Sequence, residues 1–142
     1  MAYTMHIDPD INCVFFKHYG PISVDEFVKS FSDILEHPDY RAGMNILRDN
    51  SDQQFPADIS FEAIAASSKR VKEQDSGLGD CKWASVVGDA QSYSKVHQYI
   101  TSGRLSENPI ERRVFREMEK AREWLGIPVD YEIKYPDPEE TT

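Results

Sequence analysis

The chain has 142 residues, 39% of them apolar, which fits one globular domain and excludes a chain disordered throughout. Asp and Glu number 25 against 16 Lys and Arg, a formal net charge of −9 that repels free nucleic acid and anionic membrane surfaces. Cys13 and Cys81 stand far apart with no partner at metal-ligand spacing, so they read as buried free thiols of a reducing compartment.

Met1–His6 lacks a basic segment leading into an apolar run, and no stretch approaches the ~20 apolar residues that cross a bilayer. A cytoplasmic protein without a membrane partner is expected. Tyr3 to Ile7 predicts a short strand, broken by Asp8-Pro9-Asp10. Ile11 to Tyr19, centred on Cys13-Val14-Phe15-Phe16, predicts a strand buried on both faces, in a hairpin with the first. After Gly20-Pro21, Ser23-Val24-Asp25-Glu26 has the form of a capping box. It starts a helix with Val24, Phe27, Val28, Phe31, Ile34 and Leu35 on one face, stopped by His37-Pro38.

Met44 to Asp49 is the next predicted strand, and Asn50 to Pro56 a polar loop. Ser60 caps a second predicted helix carrying Phe61, Ile64, Ala65, Ser68 and Val71 inward. Asp75 to Asp80 is a glycine-containing loop, and Lys82 to Val87 a strand ended by Gly88. Asp89 caps a third helix, with Tyr93, Val96 and Ile100 inward and Gly103 at its end. Arg104 to Pro109 reads as a linker, and Arg113 to Phe115 as a last strand. A fourth helix then runs to Trp124-Leu125 and stops at Gly126-Ile127-Pro128.

Strands alternating with helices predict an α/β domain over residues 1–135, with a mostly parallel sheet of four to five strands, an antiparallel N-terminal strand and four helices. Val129 to Tyr135 alternates apolar and charged residues, the pattern of a half-buried strand that packs within the chain or reaches a second subunit; packing within the chain is the favoured expectation. Residues 136–142 are expected to be a disordered acidic tail.

Three pieces carry a family resemblance. They are Tyr19-Gly20-Pro21 with Val24-Asp25-Glu26-Phe27; the run from His37-Pro38 through Gly43-Met44-Asn45-Ile46-Leu47-Arg48-Asp49; and Val114-Phe115-Arg116 with Ala121 and Trp124-Leu125. In this order they resemble the SpoIIAA-like fold, shared by STAS domains and by lipid-carrying CRAL-TRIO domains, and more closely a bacterial STAS-like family of unassigned function. The resemblance implies a (βα)n superhelix whose parallel strands follow one another in the sheet, with helices mainly on one face. It also implies a regulatory module.

Regulatory STAS proteins carry a phosphorylatable Ser directly after a strand-ending Asp. Here Asn50 follows Asp49, and Ser51, the candidate phosphorylation site, comes one place later. Asp75-Ser76-Gly77-Leu78-Gly79 has the letters of that switch but precedes a strand, and its glycines do not join a strand to a helix as a dinucleotide fingerprint does. His6, His18, His37 and His97 lack zinc-site spacing, so neither metal nor cofactor is expected. His18 with Asp49 or Ser51 is an acid–base candidate because both lie at the carboxyl ends of strands, where open α/β sheets bind ligands; an ordinary hydrogen-bonded strand histidine is the competing reading. The cluster Arg112, Arg113, Arg116, Lys120 and Arg122 alternates with glutamates and reads as a solvated helix face.

No motif supports catalysis. The expectation is a binding or regulatory module that takes a protein partner or small ligand at Tyr19, Asp49, Asn50, Ser51, Gly88 and Tyr93. The alternatives are an apolar-ligand carrier like CRAL-TRIO domains and a small hydrolase-type enzyme using His18 and Asp49. A sheet with helices on one side leaves a bare side, which a twin subunit would close as a homodimer.

Overall fold

A computed structural model describes residues 3–21, 24–54, 78–104 and 110–135. Strands β1 (Tyr3–Asp8) and β2 (Cys13–His18) form the expected antiparallel hairpin, Tyr3 opposite His18 and Asp8 opposite Cys13. The turn between them is tied by the Asp8 carboxylate, which accepts the Asp10 N–H at 2.9 Å. Next come β3 (Gly20–Pro21), α1 (Val24–Glu36), β4 (Asn45–Asn50) and β5 (Gln53–Gln54). β6 (Cys81–Val87), α2 (Ala90–Arg104), β7 (Ile110–Phe115) and α3 (Met118–Leu125) complete the described chain. The predicted helix over Ser60 to Val71, the Asp75-Ser76-Gly77 stretch and the tail 136–142 lie outside the described residues.

The main sheet has the order β1-β2-β4-β6-β7, and every pair after the first is parallel. β3 and β5 add a short parallel ribbon, Gly20 opposite Gln53, that the sequence reading did not contain.

Strand residues alternate between two faces. Register places Phe16, Arg48, Ser85 and Val114 in one row, on the first face. Phe15, Leu47 and Ala84 lie on the second. α1 covers the first face with Phe31 and Ile34, which pack with Val14, Phe16, Ile46 and Trp83. α2 adds Val96 and Ile100 against Val87 and Val114 of the same face. Leu35, expected inward, is 37% exposed.

α3 lies on the second face, where Ala121, Leu125 and Ile127 meet Cys13, Phe15, Leu47, Ala84 and Val86. The handedness of a parallel crossover fixes the side only for a helix that joins two strands. α3 follows the last strand and is free of that rule. The side that the sequence left bare is thus covered by the chain itself.

α3 ends in left-handed Gly126, φ 74°, and the Ile127 N–H donates to Arg122 O at 3.0 Å. The chain beyond does not form the predicted strand. Pro128 to Tyr131 is a turn, and residues 131–135 follow without ladder pairing. From Tyr131 on, the period of two holds as burial, because Tyr131, Ile133 and Tyr135 pack on the second face while Glu132 and Lys134 are exposed; Val129, in phase with them, is exposed as well.

Candidate functional site

The loops at the carboxyl ends of β2, β4 and β6 form a continuous edge. Asp49, next to last in β4, turns its carboxylate onto Ser51, accepting the Ser51 N–H at 3.1 Å and also the Ser51 hydroxyl. This Asx turn closes the chain into β5. Gly88, at the end of β6, presses on the turn: a Cβ there would stand 2.6 Å from Ser51 O, so any larger residue has to displace backbone.

Gly88 O accepts from Arg116 Nη2 at 3.5 Å, which links the edge to the end of β7. Asp89 caps α2, accepting the Ser92 N–H at 2.7 Å and the Ser92 hydroxyl at 3.2 Å. That amide bond is the first cause holding the Asp89 carboxyl below its usual range. Tyr93, 38% exposed, stacks on His97 one turn on. Across the edge, Lys17 Nζ lies 3.7 Å from Asp52 and 5.9 Å from the centre of the Tyr19 ring.

Of the sequence-predicted lining, Ser51 and Gly88 touch, and Asp49 is bonded to Ser51. Tyr19 is half-buried and Tyr93 exposed. Asn50 is buried beneath the turn, where Nδ2 donates to Gln53 Oε1 at 2.9 Å. It supports the surface and does not present itself on it.

The acid–base pairing of His18 with Asp49 is overturned by register. Lys17 is opposite Asp49, so alternation sends His18 to the first face and Asp49 to the second. His18 is buried against Arg48, which donates from Nη1 to His18 Nε2 at 3.0 Å. A guanidinium has no acceptor, so His18 is neutral with its proton on Nδ1. Burial first, and then the Arg48 charge, hold its pKa well below the ordinary imidazole value.

Arg48 itself is 1% exposed. Its Nη2 donates to Ser30 Oγ of α1 at 2.9 Å. Its guanidinium lies 4.3 Å from the Phe16 ring centre, 4.7 Å from Trp83 and 5.2 Å from Phe31. Arg112, also buried, stands 4.7 Å from the same Trp83 ring. Sequence reasoning missed this layer. Its only sequence signal was a cation in the middle of an apolar strand.

The predicted solvated basic helix face holds in part, since Lys120, Glu119 and Glu123 are exposed on α3. Arg112 and Arg113 belong instead to β7, where Arg112 is buried. Arg116 instead serves Gly88, and Arg122 Nη1 donates to Tyr131 O at 2.7 Å.

Elsewhere, a shallow depression of about 330 Å³ opens at the opposite, amino end of the parallel strands, lined by Asn45, Asp80, Cys81, Lys82, Glu111 and Leu125. Lys82 is engaged there by Trp124, through its carbonyl at 3.3 Å and its ring at 5.2 Å. Among the described residues no three His, Cys, Asp or Glu side chains converge as metal ligands. Nor is any described helix long and apolar enough to cross a membrane.

No protein-family model matches the chain. None of the curated proteins matches it either. Among solved structures it is similar to an uncharacterised protein of the DUF3478 family with a SpoIIAA-like fold from Shewanella loihica PV-4. The TM-score is 0.54 at 14% identity, covering 87% of this chain and 92% of the other. The class the fold defines is therefore SpoIIAA-like, as the sequence resemblance implied.

Proposed function

We propose that the protein is a non-catalytic SpoIIAA-like binding module of the cytoplasm that docks a protein partner on its carboxyl-edge loops, with Tyr19, Asp49, Ser51, Gly88 and Tyr93 as contact residues. The observation that carries this reading is the close approach of Gly88, just past β6, to the Asp49–Ser51 turn, whose Ser51 is exposed. A surface held in shape before contact loses little conformational entropy on docking. Asp49, Asp52 and Asp89 favour a partner with a basic face, and the net charge of −9 speeds encounter with one.

The packing of Phe16, Phe31, Ile34 and Ile46 between α1 and the sheet weighs against a carrier cavity there. The exposed Ser51 hydroxyl supports a regulatory extension. Phosphorylation would remove its bond to Asp49 and set a dianion beside Asp49 and Asp52, opening the turn and weakening the contact surface.

Photo-crosslinking residues placed at 51 and 93 in cells should trap one common protein, and a control at exposed Glu119 on α3 should not. The trapped protein, purified, should bind Gly88→Ala about tenfold more weakly than the unaltered chain, ~1.4 kcal/mol, with the circular dichroism unchanged. Equal trapping at 119, or unaltered affinity for Gly88→Ala, rejects the reading.

A further inference from the structure

The segment after α3 carries one alternating pattern from Val129 to Tyr135, yet the structure divides it. Tyr131, Ile133 and Tyr135 are packed on the second face, while Val129, in phase with them, is 98% exposed. The break falls at the turn from Pro128 to Tyr131, whose closing backbone bond is Tyr131 N–H to Pro128 O at 3.1 Å. Beyond the turn the arm is seated by side chains. The Tyr131 hydroxyl donates to Asp8 Oδ2 at 2.7 Å, and its ring stacks on Phe15 at 5.5 Å. The Tyr135 hydroxyl donates to Phe16 O at 3.2 Å.

We propose that this arm is exchanged between two copies of the chain. The turn 128–131 opens, residues 129–135 become one extended segment, and Tyr131, Ile133 and Tyr135 occupy in the second copy the seats they hold in their own. The partner is a second copy because the seat is built by this chain for these residues. Every contact that Tyr131 to Tyr135 make with the rest of the domain beyond the turn is regained, with Asp8, Phe15, Phe16 O and Arg122 supplied by the other molecule.

The two states then differ only at the hinge. Closed, the hinge has one backbone hydrogen bond and leaves Val129 in water. Exchanged, the two opened hinges run side by side about the two-fold axis, where each Val129 finds apolar cover in the extended conformation that a β-branched residue favours. The Gly126–Ile127 cap stays in place, so α3 is the same in both states.

The test mixes heavy-isotope and unlabelled chains carrying benzoylphenylalanine in place of Tyr135. After unfolding, refolding together and irradiation, mass spectrometry should find adducts joining position 135 of one isotope to β2 of the other. Sedimentation of the unaltered protein should show a concentration-dependent dimer, whose dissociation constant Val129→Asp raises about tenfold or more. Three results overturn the proposal: adducts confined to one chain, a dimer that Val129→Asp leaves unchanged, or an unaltered protein that is monomeric up to about millimolar concentration. The sedimentation measurement decides the question if the photo-reactive chain does not fold.

Discussion

Neighbouring residues of β2 and β4 enter two chemically unlike layers. Phe15 and Leu47 join an apolar layer closed by α3 and the arm. Phe16 and Arg48, one residue on, join a layer under α1 that holds a buried guanidinium, a neutral imidazole and the Ser30 hydroxyl among aromatic rings. The interior of the first layer rests on volume and exclusion of water, with its polar bonds made by tyrosine hydroxyls of the arm. The second also needs each polar atom to meet its partner, because a buried cation that loses its acceptors keeps its desolvation cost. The two layers should therefore fail in different ways.

The largest effect is expected on the apolar side. Phe15→Ala should lower unfolding free energy by about 3–5 kcal/mol, read from denaturant midpoints, because a fully buried ring leaves a cavity between β2 and the arm. A loss under ~1 kcal/mol would mean that the arm collapses into the space and the layer is not tightly packed.

On the mixed side, Arg48→Met keeps most of the volume and removes the bonds to His18 and Ser30. A loss of about 2 kcal/mol is expected. An unchanged or raised stability would show that packing alone sustains this layer too, as replaced buried ion pairs elsewhere have done.

A further effect appears with pH, and on the mixed side it is set by His18. The folded-state pKa of His18 is depressed, so as pH falls below about 6.5 the unfolded chain takes up a proton that the folded chain refuses. Stability is full above that pH and is lost below it, by up to ~1.4 kcal/mol per unit, until the folded value is reached. His18→Gln should flatten the slope. Arg48→Met should only reduce it, since burial is the larger cause of the shift and the Arg48 charge the second.

Much of the fold was legible because it rests on local periodicity. The hairpin, the stop of α1 at His37-Pro38 and the strands at Met44 to Asp49 and Lys82 to Val87 each follow from neighbouring residues. The candidate edge was partly legible. The ends of strands and Gly88 can be read along the chain, but the burial of Asn50 cannot, because it follows from its place opposite Val87 of β6. The misreading of Arg112 and Arg113 has a similar source. Alternation with glutamates looks alike on a helix and on a strand, and β7 begins three residues before its apolar signal, at Ile110 instead of Arg113.

The sequence by itself determined which residues avoid water and with what period, and hence the βα order, the parallel sheet and even the inward set of the arm from Tyr131 on. These are properties of the chain within a turn or two of each residue. Only the tertiary structure decided that α3 crosses to the second face, that His18 answers to Arg48 and not to Asp49, and that the arm lies on the sheet without joining it. Each of these depends on a partner about 30 or more residues away, and no local propensity encodes which of several apolar or polar surfaces will be nearest once the sheet has closed.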